Sequence, residues 1–354
     1  MASTLIITED IRIKGGIAAM YRHMKGLLPE DALTVFYASS SQACSDPLLK
    51  PVKWSKCGII YLFRVFLVFI HSLSFLKDCR KVFIFTASPL YAFPFLFFCR
   101  RVRVWFATPF YEEIINRWRS ERSTKEKIVL FIEYLLLPFY FILENLTIRA
   151  IPRMCYALSE RTKAGFLFKK NISIQGFPLD VRWFSGMPAE KEYDIITVGR
   201  FNDPRKDLGT FLKTMRSLDR RKAVVIGRLP DNFDINGYPN IHFTGEVEGD
   251  IGEFYLRSRI FFLPSVQEGL GIVYLEAMAS GLPVIAADNG GSRDLVKNGL
   301  NGYIIKKRSP AEAADRIETI LSDEKIYDQF SSAAREYADK YSRKAQEAME
   351  QFLR

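Results

Sequence analysis

Short apolar runs alternate with longer helical stretches along this chain, and the alternation is met twice. In the second half, residues 195–198 (IITV), 223–226 (AVVI), 242–244 (HFT), 260–263 (IFFL) and 284–286 (VIA) read as five short buried strands, with helices predicted over 207–218 and 271–280. In the first half, residues 5–7, 82–85 and 102–106 are short, β-branched or aromatic runs, and the stretch 153–158 leads to a helix start at Ser159-Glu160. Strand, helix, strand order implies right-handed crossovers and parallel sheets. Met twice, it predicts an α/β chain of two doubly wound domains, 1–178 and 179–340, joined near Gly176-Phe177-Pro178-Leu179-Asp180. Ligands of such sheets bind at the carboxyl ends of the strands, so a central cleft between the two domains is expected.

Composition narrows the class of partner. At 354 residues, 48% hydrophobic and 25% charged, the chain is neither disordered nor collagen-like. The net charge is +10, and it is uneven: residues 1–180 hold 25 Lys and Arg against 14 Asp and Glu, whereas 181–354 hold 25 against 26. The first 180 residues also hold 19 of the 29 Phe. A basic, aromatic half points to an anionic partner, nucleic acid or membrane. No recognised nucleic-acid motif accompanies the charge, which disfavours nucleic acid. Five Cys without a C-x-x-C pair and only three His give neither a disulfide framework nor a metal cluster, and predict reduced thiols in a cytoplasmic setting. Residues 1–14 lack the pattern of a signal peptide. Residues 58–76 approach spanning length but contain Arg64 and His71, and 128–143 contain Glu133 and Pro138, so both are expected to be buried or surface-lying helices.

Four loops after strands of the second half carry ligand-binding chemistry. Arg200 and Lys206, in VGRFNDPRKD, are long cations after a buried strand, able to meet on one anion; the alternative is a pair of solvated surface cations. In PSVQEGLGIVYLEAMASG (264–281), Gly269 and Gly271 flank Leu270 and allow close backbone approach, and a helix begins near Ile272. A helix start offers unpaired amides and partial positive charge to a diphosphate. Glu268 and Glu276, eight residues apart, suit different hydroxyl groups of a ligand; the alternative is a helix cap for Glu268 and a solvated face for Glu276. The stretch 288–294 (DNGGSRD) reads as an anion nest or a plain turn, and Gly227 as room for a base or ribose against a strand end. In the first half, Gly15-Gly16 after the opening strand reads either as a phosphate or acceptor contact or as a turn.

Taken together, these residues resemble the retaining GT-B glycosyltransferases of glycosyltransferase family 4. The resemblance rests on Gly15-Gly16, on Gly199-Arg200 followed by Lys206, on Glu268-x7-Glu276, on Gly290-Gly291 and on Asn298-Gly-x-x-Gly302. It covers nearly all of 181–322 and is weaker over 1–180. It implies two Rossmann-like domains facing a cleft, with a helix at 341–354 returning to the first domain. It also implies a UDP- or GDP-linked sugar donor held mainly by the second domain, through Gly199, Arg200, Lys206, Gly227, Glu268, Gly269, Leu270, Gly271, Ile272 and Glu276, with Gly15 and Gly16 opposite. Within that set Arg200 and Lys206 hold the diphosphate and stabilise the leaving group, Glu268 contacts the donor sugar, and Glu276 the ribose hydroxyls. Two positions depart from the family pattern. No His follows the strand ending at Trp105-Phe106, and the usual Asn-Gly-Val-Asp reads Phe177-Pro178-Leu179-Asp180.

Charge development at a breaking sugar–phosphate bond is met by cations and helix amides, so neither metal nor other cofactor is expected. Arg100, Arg101 and Arg103, and Arg117-Trp118-Arg119 continuing to Lys125 and Lys127, set cations beside aromatic residues. This pattern predicts a peripheral enzyme on the anionic inner face of the plasma membrane, using a lipid-linked or oligosaccharide acceptor of envelope polysaccharide or lipopolysaccharide assembly. Two alternatives stand beside it: solvated charge around a Phe-rich core, and a catalytically inactive subunit that binds a partner transferase or lipid.

Overall fold

The computed structural model describes residues 4–8, 21, 23–25, 27–28, 30, 32–38, 49–53, 61–76, 79, 81–86, 88–97, 102–106, 114, 131–151, 155–184, 190–247 and 251–353. The loop with Gly15 and Gly16, the residues after Phe106, and the basic stretch 117–127 lie outside this set. The chain divides into two compact units, Met1–Phe177 with Ala345–Arg354, and Pro178–Lys344.

The first unit is built on seven parallel strands: β1 (Thr4–Thr8), β2 (Leu33–Ala38), β3 (Leu49–Lys53), β4 (Lys81–Thr86), β5 (Val102–Phe106), β6 (Cys155–Ala157) and β7 (Ile172–Ile174). Their order is β3-β2-β1-β4-β5-β6-β7. β1 lies between β2 and β4, with Ile6 opposite Thr34 on one side and Phe83 on the other. Its five residues are all buried, as a central parallel strand covered on both faces requires. Helix α1 (Tyr61–Leu76), a 3-10 segment (Pro89–Phe97) and helix α2 (Leu137–Ala150) pack beside this sheet, followed by the short α3 (Glu160–Ala164). Ser159 caps α3 by accepting from the Thr162 amide. Cys155, fully buried, has its thiol pushed up to about 12 by burial.

In the second unit the strands are β8 (Tyr193–Val198), β9 (Ala223–Ile226), β10 (Ile241–Gly245), β11 (Ser258–Leu263), β12 (Val284–Ala287) and β13 (Gly302–Ile305), again all parallel, ordered β10-β9-β8-β11-β12-β13. Between them run α4 (Leu208–Ser217), α5 (Gly252–Leu256), α6 (Ile272–Ala279) and α7 (Gly290–Leu295), and α8 (Pro310–Leu321) and α9 (Glu324–Leu353) follow. All five strands expected in this half are present, each within a residue or two. The expectations do not include β2, β3, β7 or β13. β3 carries Pro51 and two Lys, and it lies at a sheet edge, where a missing amide donor is tolerated. β7 and β13 are the opposite edges, short and, in β13, opened by Gly302.

Gly302 stands opposite Val284, and a Cβ there would lie 1.9 Å from the Val284 carbonyl oxygen. The strand pair β12–β13 therefore admits no side chain at 302. Gly302→Ala is expected to lower unfolding free energy by about 1–3 kcal/mol. Gly237→Ala, where an added Cβ meets nothing within 4 Å, should stay within about 0.5 kcal/mol. Equal denaturant midpoints for the two variants would contradict this packing.

Candidate functional site

β8 and β11 are adjacent in the sheet, but the chain leaves β8 towards β9 and β11 towards β12. The carboxyl ends of this strand pair are therefore the sheet's switch point, the usual ligand position, or crevice, in doubly wound sheets. Three loops meet there: 199–207 after β8, 264–271 after β11, and 288–289 after β12.

The first loop is fixed by two aspartates. Asp203 accepts from the Arg205 amide at 3.0 Å and caps the 3-10 turn Pro204–Lys206. Its carboxylate also takes the Arg205 guanidinium, Nη2 to Oδ2 at 2.5 Å. Asp207, with φ +48° and ψ +54°, caps α4 by accepting from the Thr210 amide and, at 2.7 Å, from its hydroxyl. Lys206 is thus held between two caps. Its ammonium donates to Glu268 Oε1 across the crevice at 2.6 Å, and both side chains are largely buried. Arg200 is exposed and makes no ion pair among the described residues. Lys206 is therefore not a solvated surface cation; it is committed to Glu268.

The second loop is anchored from below. Leu270 is buried, so only its backbone faces the crevice. Gly271 adopts φ +77°, and a Cβ on it would meet the Tyr274 ring at 2.5 Å. As N-cap of α6, Gly271 makes no side-chain cap bond; the Tyr274 amide donates to the Gly271 carbonyl at 2.9 Å, and the Ile272 and Val273 amides have no acceptor within the helix. Glu268 is accordingly not a helix cap. Nor is Glu276 on a solvated face: residues 274–279 of α6 are all buried, and Glu276 accepts from the Tyr255 hydroxyl at 2.9 Å. Burial and the neighbouring Glu276 charge raise the Tyr255 phenol well above its ordinary range, so it remains a donor. Burial, and then the Glu268 charge, raise Tyr274 likewise, against the bond from Asn289.

Backbone ties lock the loops to one another. The Arg205 carbonyl accepts from the Val266 amide at 2.8 Å and from the Ser265 hydroxyl at 3.0 Å. The Asn289 amide group donates to the Ser265 carbonyl at 2.8 Å, while Asn289 and Ser292 form a capping box on α7. The Ser292 amide is taken by Asn289, and the Gly291 amide by the Glu268 carbonyl at 3.3 Å. Stretch 288–294 is a capped turn rather than an anion nest, because these amides are already engaged. Gly227, at φ +127°, sits where a Cβ would lie 1.9 Å from the Gly199 carbonyl oxygen, so its lack of a side chain serves close loop packing.

The structure thus brings Gly199, Arg200, Lys206, Gly227, Glu268, Gly269, Leu270, Gly271 and Ile272 to one sheet end, with Glu276 about one turn further into α6 and bonded to Tyr255. Asp203, Asp207, Ser265, Tyr274 and Asn289 also build the site, although the sequence reading assigns them no role. The D-P-R-K-D spacing and the Asn289-x-x-Ser292 pair are capping signals that could have found three of them. Among the described residues, no three His, Cys, Asp or Glu side chains gather as metal ligands.

Two parallel-sheet α/β units of this order define the fold class, that of the GT-B glycosyltransferases. Anabaena HepE, solved in complex with UDP-glucose, superposes with a TM-score of 0.70 at 14% identity, over 100% of this chain and 98% of that one. Residues 183–337, within the second unit, match the model of the family Glycosyl transferases group 1. The sulfoquinovosyl transferase SQD2 of Arabidopsis thaliana is 33% identical over 159 residues, 43% of this chain and 31% of that protein. A GDP-mannose-dependent alpha-(1-6)-phosphatidylinositol monomannoside mannosyltransferase of Mycobacterium tuberculosis is 30% identical over 153 residues, 38% of this chain and 40% of that protein. The chain matches less than half the length of these curated relatives.

The Asp203 carboxyl is pushed up by burial but pulled further down by its bonds to Arg205, and the net shift is downward. A depressed folded value contributes stability that is complete above the unfolded value, about 3.9, and is lost as pH falls through the folded one. Asp203→Asn is expected to flatten the acid limb of the stability–pH curve below about pH 4. Unfolding midpoints measured from pH 2 to 6 (about the carboxylate range) check this; parallel curves for the two proteins would contradict it.

Proposed function

We propose that the chain is a retaining, metal-independent glycosyltransferase that moves a hexose from a UDP- or GDP-linked donor to a lipid-linked or oligosaccharide acceptor. The observation that carries this reading is the Lys206–Glu268 pair beside the uncapped start of α6. A sugar nucleotide needs a cationic and amide-rich place for its diphosphate and an acceptor of hydrogen bonds for its sugar hydroxyls. Lys206 and the first amides of α6 provide the former, and Glu268 the latter.

As the sugar–phosphate bond lengthens, negative charge grows on the departing diphosphate. Lys206, its backbone fixed by two aspartate caps, meets that charge from a set position, and the exposed Arg200 is free to swing onto it. Glu268, already within hydrogen-bond distance of Lys206, holds the sugar against the same cation. Glu276, oriented by Tyr255, takes the ribose hydroxyls in this scheme. Attack of the acceptor on the face the diphosphate leaves gives retention without a covalent intermediate. A lipid-linked acceptor suits the basic first half, and the activity of the mycobacterial relative, on a phosphatidylinositol monomannoside, supports an acceptor of that kind. On this reading the chain works at the cytoplasmic face of the membrane, in assembly of an envelope polysaccharide or lipopolysaccharide.

Thermal unfolding with a panel of UDP-, GDP- and ADP-sugars tests the reading. A donor at about a hundred times its Kd raises stability by about 2.7 kcal/mol. Arg200→Ala with Lys206→Ala is expected to weaken donor binding by at least about tenfold per lost charged hydrogen bond. Donor stabilisation that survives the double substitution unchanged contradicts the assignment. Binding without any hydrolysis or transfer instead marks an inactive subunit.

A further inference from the structure

The helical segment 131–150 buries polar residues beside Tyr140, Leu143 and Ile148 and turns an apolar stripe outward. A helix on a water-facing surface buries its apolar stripe and exposes its polar one. Here Glu133, Glu144, Asn145 and Thr147 are buried, whereas Leu135, Phe139, Ile142 and Leu146 are exposed, at 62%, 46%, 55% and 45%. The exposed four are spaced by four, three and four residues and so form one stripe. Three of the buried polar side chains are held by the unit itself. Ser88 donates to Glu144 Oε1 at 2.5 Å, the Leu167 amide donates to Asn145 Oδ1 at 2.7 Å, and the Thr147 hydroxyl donates to the Leu143 carbonyl at 2.8 Å. α1 has an outer stripe of the same kind. Phe66, Ile70 and Leu73 are exposed, while Phe69 turns inward against the Phe95 ring at 5.0 Å. Both helices pack on the 3-10 segment Pro89–Phe97, whose last residue is 72% exposed.

We propose that these outward apolar stripes seat the first unit on an anionic lipid bilayer. The inference deepens the function proposed above and rests on it only for the lipid-linked acceptor. Charge selects the bilayer over other occupants. Both carboxylates of segment 131–150 are buried, so its exposed side presents no acidic group, and Arg149 is exposed near its end. The sequence just before the segment, residues 98–130, holds eight Lys and Arg against four Glu, within a half that carries 25 against 14. An apolar stripe whose segment exposes Arg149 and no carboxylate, in so basic a half of the sequence, matches an anionic interface, whereas a second copy of the same half would bring like charge to like. No described helix is long and apolar enough to cross the membrane, so the stripes lie in the interface plane.

Flotation of the purified chain with phosphatidylcholine vesicles, with and without phosphatidylglycerol, tests this. Binding is expected to phosphatidylglycerol vesicles at low salt, weakened at high salt. Phe139→Glu with Ile142→Glu should reduce it by about tenfold or more. A conservative variant guards against misfolding: for Phe139→Trp, lipids brominated in the acyl chain should quench the introduced indole beyond the parent chain's own response. Absence of flotation, an unquenched indole, or a concentration-dependent dimer broken by the same two glutamates without vesicle binding overturns the proposal. Nucleotide-sugar stabilisation, read on the same samples, reports the second unit separately. Vesicle binding without donor binding leaves the docking surface and removes the transferase reading, and the converse result does the reverse.

Discussion

Lys206 and Glu268 meet because β8 and β11 are neighbours in space but not in sequence. Sixty-two residues separate them along the chain, and 2.6 Å separates their charged atoms. The parallel order β9-β8-β11-β12 sets the loops that follow β8 and β11 side by side at the sheet's switch point, where an ammonium and a carboxylate face each other. The half-buried pair is worth having there only if both partners are kept in place, since losing one leaves an uncompensated charge in poor contact with water. The surrounding caps answer that demand: Asp203 and Asp207 fix Lys206 on one side, and the Gly291 amide steadies Glu268 through its carbonyl on the other.

Much of this was legible in the sequence because central parallel strands are apolar throughout. The runs 195–198 and 260–263 needed no partner to be recognised, and the glycines and acidic residues after them marked the loops. Edge strands were less legible for a physical reason. β3 tolerates Pro51 and its lysines because one side of its backbone pairs with no described strand, and the three residues of β7 are too few for a periodic signal. β2 is different, since its Thr-Val-Phe-Tyr run has ordinary strand character and was readable without the structure.

In the site, sequence located the charges but not their use. Arg200 and Lys206 read alike as cations after a strand, yet one is exposed and the other is paired and half-buried. That difference comes from a tertiary contact with a loop distant in sequence, which local pattern does not contain. Glu276 is kept off a solvated face because α6 is covered on all sides beyond its first turn, a property of the sheet and helices around it and not of its own periodicity. The inverted polarity of segment 131–150 was hidden in the same way. Its sequence says that two glutamates lie among apolar residues, and only the packing says which set faces inward.

The near-contacts at Gly227 and Gly291 have a further consequence. At each, the space for a side chain is occupied by main chain of a different loop: the Gly199 carbonyl for one, the Leu270 carbonyl for the other. Backbone pressed on backbone leaves no side chain to trim as compensation. The rim of the crevice is therefore a single interlocked piece, and a loop transplanted from another protein would have to bring its neighbours' main-chain path with it.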